Sequence, residues 1–194
     1  MSPYTPFLQY LQLFRDIPLA DQELLTQSLR HRSLPENEVL VRPGQVCQEM
    51  YFIVRGVLRI MAPHENGSEA TCFFLKENQL CTILASFLHQ VPATEGIQTA
   101  CPAELLVLPH AGLYQLYAQL SYLQPLIDLI TQRTLLDKIQ VRNQYLGESA
   151  AARYQKFLLH QPDIALRVSL RDVASYLGIT QQSLSRIRRQ LASE

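Results

Sequence analysis

The residues whose types and spacing best suit a chemistry lie in the last quarter of the chain. In the stretch SLRDVASYLGITQQSLSRIRRQL, residues 169–191, Gln182, Ser185, Arg186 and Arg189 recur at i, i+3, i+4 and i+7. On a helix they share one face. Amide and guanidinium side chains pair with base edges, Gln with adenine and Arg with guanine, and further arginines such as Arg188 neutralise phosphates. Gln181 and Ser183 fall in the first turn, the end of a reading helix that approaches the floor of the major groove. The implied chemistry is recognition of double-stranded DNA.

Such a helix needs a partner to aim it, and the preceding residues supply one. Ser169 and Asp172 form a capping-box-like S-x-x-D that starts a short helix, and Gly178 ends it. The small Ala174 permits close crossing, Gly178 permits a sharp turn, and the Thr180 hydroxyl can cap the second helix. Val173, Leu177, Ile179, Leu184, Ile187 and Leu191 then face inward. The plainer alternative is a two-helix corner with a solvated basic face, but inward residues, caps, turn glycine and outward basic residues all agree on a helix-turn-helix.

Charge is distributed to match. The 194 residues carry 17 basic and 17 acidic side chains. Residues 1–150 hold 10 basic against 14 acidic, whereas residues 151–194 hold 7 against 3. The basic end is the nucleic-acid candidate. At 47% hydrophobic and 18% charged, the composition is that of a globular chain, not a disordered one. No apolar run approaches the roughly 18 residues of a membrane span, and the start MSPYTPFLQYLQLF has no early basic residue, so a cytoplasmic protein without a secretory signal is expected. Cys47, Cys72, Cys81 and Cys101 make no C-x-x-C pair, and the five histidines make no metal-ligand pattern, so reduced thiols and no metal are expected.

Upstream, Phe7, Leu8, Leu11, Phe14, Leu24, Leu25 and Leu29 recur at helical spacing around a break at Pro18. From about Glu38 the pattern changes to short runs rich in Val, Ile, Phe and Tyr, at 38–42, 50–55, 57–62, 70–75, 97–100 and 104–108, parted by Pro43-Gly44, Asn66-Gly67 and Pro102. This spacing predicts a small antiparallel barrel or sandwich, with Gly56 making a tight hairpin in YFIV-RG-VLRIMA and Asn66-Gly67 making a second. Residues 111–147 read as one long helix kinked or broken at Pro125. Along it Leu129, Leu136, Ile139, Asn143 and Leu146 form a seam that could pair with a second copy, a lone Asn being a common register device. A further helix over 150–160 has Ala150, Tyr154, Phe157 and Leu158 on one face.

With these residues in view, the sequence resembles the Crp/Fnr family of bacterial transcription regulators over nearly its whole length, and ASYLGIT…SLSRIRR looks especially like members from Bacteroidetes. The resemblance implies an α+β fold: an antiparallel, cyclic-nucleotide-binding-like β-barrel (a double-stranded β-helix) with flanking helices over 1–110, a long dimerisation helix over 111–147, and a helix-turn-helix over 148–194. It also implies a homodimer that binds double-stranded DNA and can contact RNA polymerase, with no membrane partner. Ser169 and Thr180 join Gln181, Gln182, Ser183, Ser185, Arg186, Arg188 and Arg189 as the candidate DNA contacts. Many relatives continue into a β-hairpin wing, whereas this sequence stops at Glu194, so a reader without a full wing is expected.

Members that bind cyclic AMP carry a Gly-Glu pair that holds the ribose and an Arg-Ser pair that holds the phosphate. Ungapped alignment puts Thr82-Ile83 at the first pair and Ala93-Thr94 at the second, so the candidate pocket is Thr82, Ile83, Leu84, Ala93 and Thr94. A buried phosphate without an Arg would lose its charge-assisted hydrogen bonds and keep its desolvation cost. Cyclic AMP is therefore not the expected ligand, and no cofactor is assigned. The competing reading is a barrel that binds a small molecule or protein while its terminal helices contact protein. An enzyme on a cupin-like barrel would need a ligand cluster or an activated nucleophile, and the sequence has neither.

Overall fold

The computed structural model describes residues 2–63 and 69–191. The expected turn at Asn66-Gly67 lies outside the described residues.

Two amino-terminal helices, α1 (Thr5–Gln12) and α2 (Leu19–Gln27), flank the break, with Pro18 at the N-cap of α2. Their buried residues Phe7, Leu11 and Leu25 face the strands, and Phe7 meets Phe52 edge-on at 5.2 Å. Eight strands follow: β1 (Arg30–Leu34), β2 (Val39–Val41), β3 (Glu49–Arg55), β4 (Leu58–Pro63), β5 (Glu69–Leu75), β6 (Leu80–Cys81), β7 (Gly96–Thr99) and β8 (Ala103–Pro109). They form two antiparallel four-stranded sheets, ordered β1-β8-β3-β6 and β2-β7-β4-β5. No strand pairing joins one sheet to the other among the described residues, so the expected barrel is two facing sheets without a closed hydrogen-bonded wall. Leu105, Leu106, Val107 and Leu108 of β8 are all buried. Both faces of that strand are covered, which explains a continuous apolar run where a half-exposed strand would alternate.

Gly56 does not make the hairpin expected of it. Strand β3 belongs to one sheet and β4 to the other, so the chain turns a corner between sheets at this residue. Its φ is +101°, and a Cβ there would stand 2.6 Å from the Pro102 carbonyl oxygen. Only glycine fits, because the backbone needs positive φ and the 102–103 segment passes directly over it.

Helix α3 (Leu84–His89) lies between β6 and β7, and α4 (His110–Gln119) follows β8. The long helix expected over 111–147 is in fact two. It breaks at 120–122, ahead of Pro125, and α5 (Leu123–Asn143) then carries Pro125 in its first turn. Proline is tolerated there because the first amides of a helix have no intrahelical acceptor. Four helices close the described chain: α6 (Ala150–His160), α7 (Pro162–Ala165), α8 (Leu170–Tyr176) and α9 (Gln181–Leu191). Their core of Tyr154, Phe157, Ile164, Val173, Leu177 and Leu184 is continuous with Val57, Phe74, Ala100 and Cys101 of the strand region. No helix among the described residues is long and apolar enough to cross a membrane.

Candidate functional site: the terminal helix pair and its seat

Helix α8 starts where Ser169 caps it. The Asp172 amide donates to Ser169 Oγ at 3.1 Å, and that hydroxyl donates to Asp172 Oδ2 at 2.8 Å. Both hydrogen-bonding functions of Ser169, expected to face DNA, are thus engaged in starting the helix. At the other end Gly178 takes φ +66°, its amide donates to the Ser175 carbonyl at 3.1 Å, and the Ile179 amide reaches back to Ala174 at 3.0 Å. This pair of backward bonds satisfies the last carbonyls and sets the turn angle. Thr180 Oγ1 accepts the Ser183 amide at 3.1 Å and so caps α9.

Within the pair Val173, Ala174, Leu177 and Leu184 are buried, with Ile179, Ile187 and Leu191 packed against them. Gln181, Gln182, Arg186, Arg188 and Arg189 are exposed, and Ser183 and Ser185 are half-buried. Arg189 Nε donates to the Ser185 carbonyl at 3.4 Å, which lays that side chain along the helix. The inward and outward residues separate as the sequence spacing requires.

This helix pair is seated on the strands. Arg59 of β4 is 8% exposed and Asp172 of α8 is 5% exposed, and their Nη1–Oδ1 distance is 2.9 Å. Arg59 also donates to Gln98 Oε1 of β7 from Nε at 2.8 Å and to Thr71 Oγ1 of β5 from Nη1 at 3.1 Å. One guanidinium thus ties three strands to the capping carboxylate of α8. Beside it Ser175 Oγ accepts the Thr71 amide at 2.9 Å and donates to the Glu69 carbonyl at 3.2 Å, so α8 caps part of the exposed edge of β5. Below α7, Arg167 grips Glu77 with both terminal nitrogens, and Glu77 Oε1 also accepts the Gly56 amide at 2.7 Å. Burial alone would raise the Glu77 carboxyl, but the Arg167 hydrogen bond, two backbone amides and the Arg167 charge together hold it below the usual carboxylate range. Asp163 is lowered too, by its hydrogen bond from Lys76.

On α5, Leu123, Leu126, Ile127 and Ile130 are buried against the sheets. The expected seam is only partly on this helix: Leu129, Leu136, Ile139 and Asn143 are exposed on its opposite face, Leu136 by 58%, whereas Leu146, also exposed, lies in the turn beyond the end of α5 at Asn143.

The candidate pocket residues are placed less openly. Ile83, the N-cap of α3, and Ala93 both belong to the buried core. Thr82 Oγ1 donates to the Glu49 carbonyl at 3.1 Å and lies 3.3 Å from Cys47 Sγ. Thr82 and Leu84 line a cavity of about 90 Å³ together with Lys138 of α5, while Thr94 is exposed and bonded to Glu95. The four cysteines are free thiols, and burial pushes Cys81 up to about 12. No cluster of His, Cys, Asp and Glu able to hold a metal occurs among the described residues.

Comparison with known proteins fits this arrangement. Residues 31–120 match the cyclic nucleotide-binding domain family. Curated relatives called cAMP-activated global transcriptional regulator CRP, from Salmonella typhimurium and Escherichia coli O157:H7, are each 19% identical over 174 residues, covering 82% of this chain and 81% of theirs. A crp/fnr-family transcriptional regulator from Eubacterium rectale superposes with a TM-score of 0.75 at 18% identity, over 95% of this chain and 88% of that one. In fold, the chain is similar to this crp/fnr-family structure. The c-di-GMP responsive regulator CLP of Xanthomonas campestris has the same architecture, with a TM-score of 0.70 at 17% identity over 91% and 92% of the two chains. The Arg59–Asp172 link and the Glu77–Arg167 link, which seat the helix pair on the strands, are the features that sequence reading missed. A strand arginine and a helix-capping aspartate far apart in the chain give no local signal, and only the strand order brings them together.

Proposed function

We propose that this protein is a homodimeric DNA-binding transcription regulator whose strand region does not use cyclic AMP as its signal. The observation that carries the reading is the separation of faces on α9, with Leu184 buried beneath and Gln182 and Arg186 exposed at the same turn. Gln181, Gln182 and Arg186 are the base-reading candidates, and Arg188 and Arg189 are the phosphate candidates, because early residues of a reading helix approach the groove floor and later ones rise to the backbone. The relatives are named as transcription regulators, which supports a regulator over an enzyme. Dimerisation through α5 and contact with RNA polymerase belong to the same proposal.

Binding-site selection followed by salt titration tests it. Arg186→Ala should cost about 1–3 kcal/mol and relax preference at one position per half-site. Arg189→Ala should weaken all sequences alike and make the salt slope shallower by about one. If selection recovers no DNA at low salt, the terminal helices have another partner and the reading fails.

The cyclic AMP statement is tested separately by calorimetry. Ile83 and Ala93 present no charge and are packed into the core. Millimolar cyclic AMP should therefore give no saturable heat, and a micromolar dissociation constant would overturn the assignment.

A further inference from the structure

Helices α3, α4 and the first half of α5 enclose a cavity of about 200 Å³. The buried side chains of Met50, Leu113 and Ile127 give it an apolar lining, and Phe87, Tyr114 and Tyr117 add three aromatic rings. Tyr114 and Tyr117 are three residues apart on α4 and so share a face, with ring centroids 5.4 Å apart. The His110 ring packs 4.4 Å from Tyr114 and 5.1 Å from Phe87, which ties the aromatic side of α4 to α3. From α5 comes Asp128, an exposed carboxylate that also borders the cavity. It forms no hydrogen bond or ion pair among the described residues. Its charge nevertheless reaches Tyr117, whose hydroxyl is pushed up first by burial and then by Asp128 and Tyr114. No Lys or Arg borders the cavity among the described residues.

Aromatic rings carry negative charge on their faces, so they attract cations, and alkylated ammonium groups are recognised in this way. An uncompensated carboxylate beside them attracts the same sign of charge and repels the other. The apolar lining suits alkyl groups, which ask for no hydrogen bond. At about 30 Å³ per water, the space is that of roughly six or seven water molecules. Drug-sized sites run to about 300–1,000 Å³, so a compact guest is selected. The larger cavity near Ser33 is less selective, because Arg55 and Arg167 meet Glu104 there and neither sign of charge is favoured.

We propose that this cavity binds a compact organic cation, an alkylated ammonium group, held by Asp128 and the rings of Tyr114 and Tyr117. No DNA contact enters the argument, so failure of the DNA-reading proposal leaves this one standing.

Tetramethylammonium is the probe, with tert-butanol as the neutral and pivalate as the anionic molecule of similar shape. Saturation-transfer NMR on the methyl protons of each, titrated with the full chain in about 0.15 M salt to screen diffuse surface attraction, gives the dissociation constants. Tetramethylammonium should bind saturably, in the millimolar range or tighter, and at least tenfold more tightly than either control. Asp128→Asn and Tyr114→Leu should each weaken it fivefold or more. Tyr114→Phe, which keeps the ring, should leave it within twofold. Both positions are exposed, so these variants keep the fold, and an unchanged circular dichroism spectrum checks this. Equal binding of tetramethylammonium and tert-butanol would show an apolar cavity with no selection for charge, and would overturn the proposal. Unchanged affinity in Asp128→Asn or in Tyr114→Leu, or no saturable signal at all, would overturn it as well.

Discussion

Arg59 shows how one residue can carry the geometry of a whole unit. Its guanidinium is buried, so its charge is tolerable only because Asp172, Gln98 and Thr71 complete its hydrogen bonds. A buried ion pair does not by itself stabilise much relative to a well-packed apolar pair, but removing one partner strands the other charge. Arg59→Met should therefore cost about 3–5 kcal/mol in urea denaturation, the usual range for breaking a buried pair. The double variant Arg59→Met/Asp172→Leu should recover a large part of that loss. A single-variant cost below about 1 kcal/mol would mean that water reaches the pair and that it does not hold α8 on the strands. Neither residue could be singled out from sequence, because Arg59 sits in an otherwise apolar strand run and Asp172 looks like an ordinary helix cap.

At the scale of elements, legibility followed how local the cause was. The boundaries of α6, α8 and α9 were readable because caps, turn residues and apolar spacing all act within a few residues, as Ser169, Gly178 and Thr180 do. Strand β1 was not readable. Its sequence RHRSL is charged and largely exposed, and it is a strand because it pairs with β8 along the sheet edge. Gly56 misled for a related reason, since a tight hairpin and a corner between sheets both call for positive φ, and only the pairing partners distinguish them. The break before α5 was placed a turn too late because Pro125 is a conspicuous breaker, yet the first turn of a helix accommodates it. The α5 seam was legible as a period, and its exposed leucines and isoleucine now call for a partner. If a second copy covers it, Leu136→Asp with Ile139→Asp should convert the protein to monomers in sedimentation velocity while the tyrosine signal of the folded chain persists. An unchanged dimer would remove α5 from the interface.

At the scale of the whole molecule, the strand region and the terminal helices are joined by charge as well as by apolar packing, which makes their union sensitive to acid. The carboxyl of Glu77 is held low by Arg167 and backbone amides against the opposing effect of burial, and Asp163 is held low by Lys76. A carboxylate with a depressed folded-state pKa stabilises the folded form above its unfolded pKa, near 4.3 for Glu. That contribution is lost as the pH falls through the folded value. Between neutrality and about pH 5 the joint should therefore hold, and below about pH 4 it should weaken as Glu77 takes up a proton and releases Arg167. Tyr145, Tyr154 and Tyr176 all lie in the terminal region, so near-ultraviolet circular dichroism reports its packing, and proteolysis across 144–149 reports its release. Glu77→Gln, which mimics the protonated carboxyl, should be less stable than wild type at pH 7 and should lose less stability on going from pH 5 to pH 3. The two proteins should then converge in acid. Parallel curves for wild type and Glu77→Gln over that range would show that the Glu77–Arg167 pair does not couple protonation to the seating of the terminal helices.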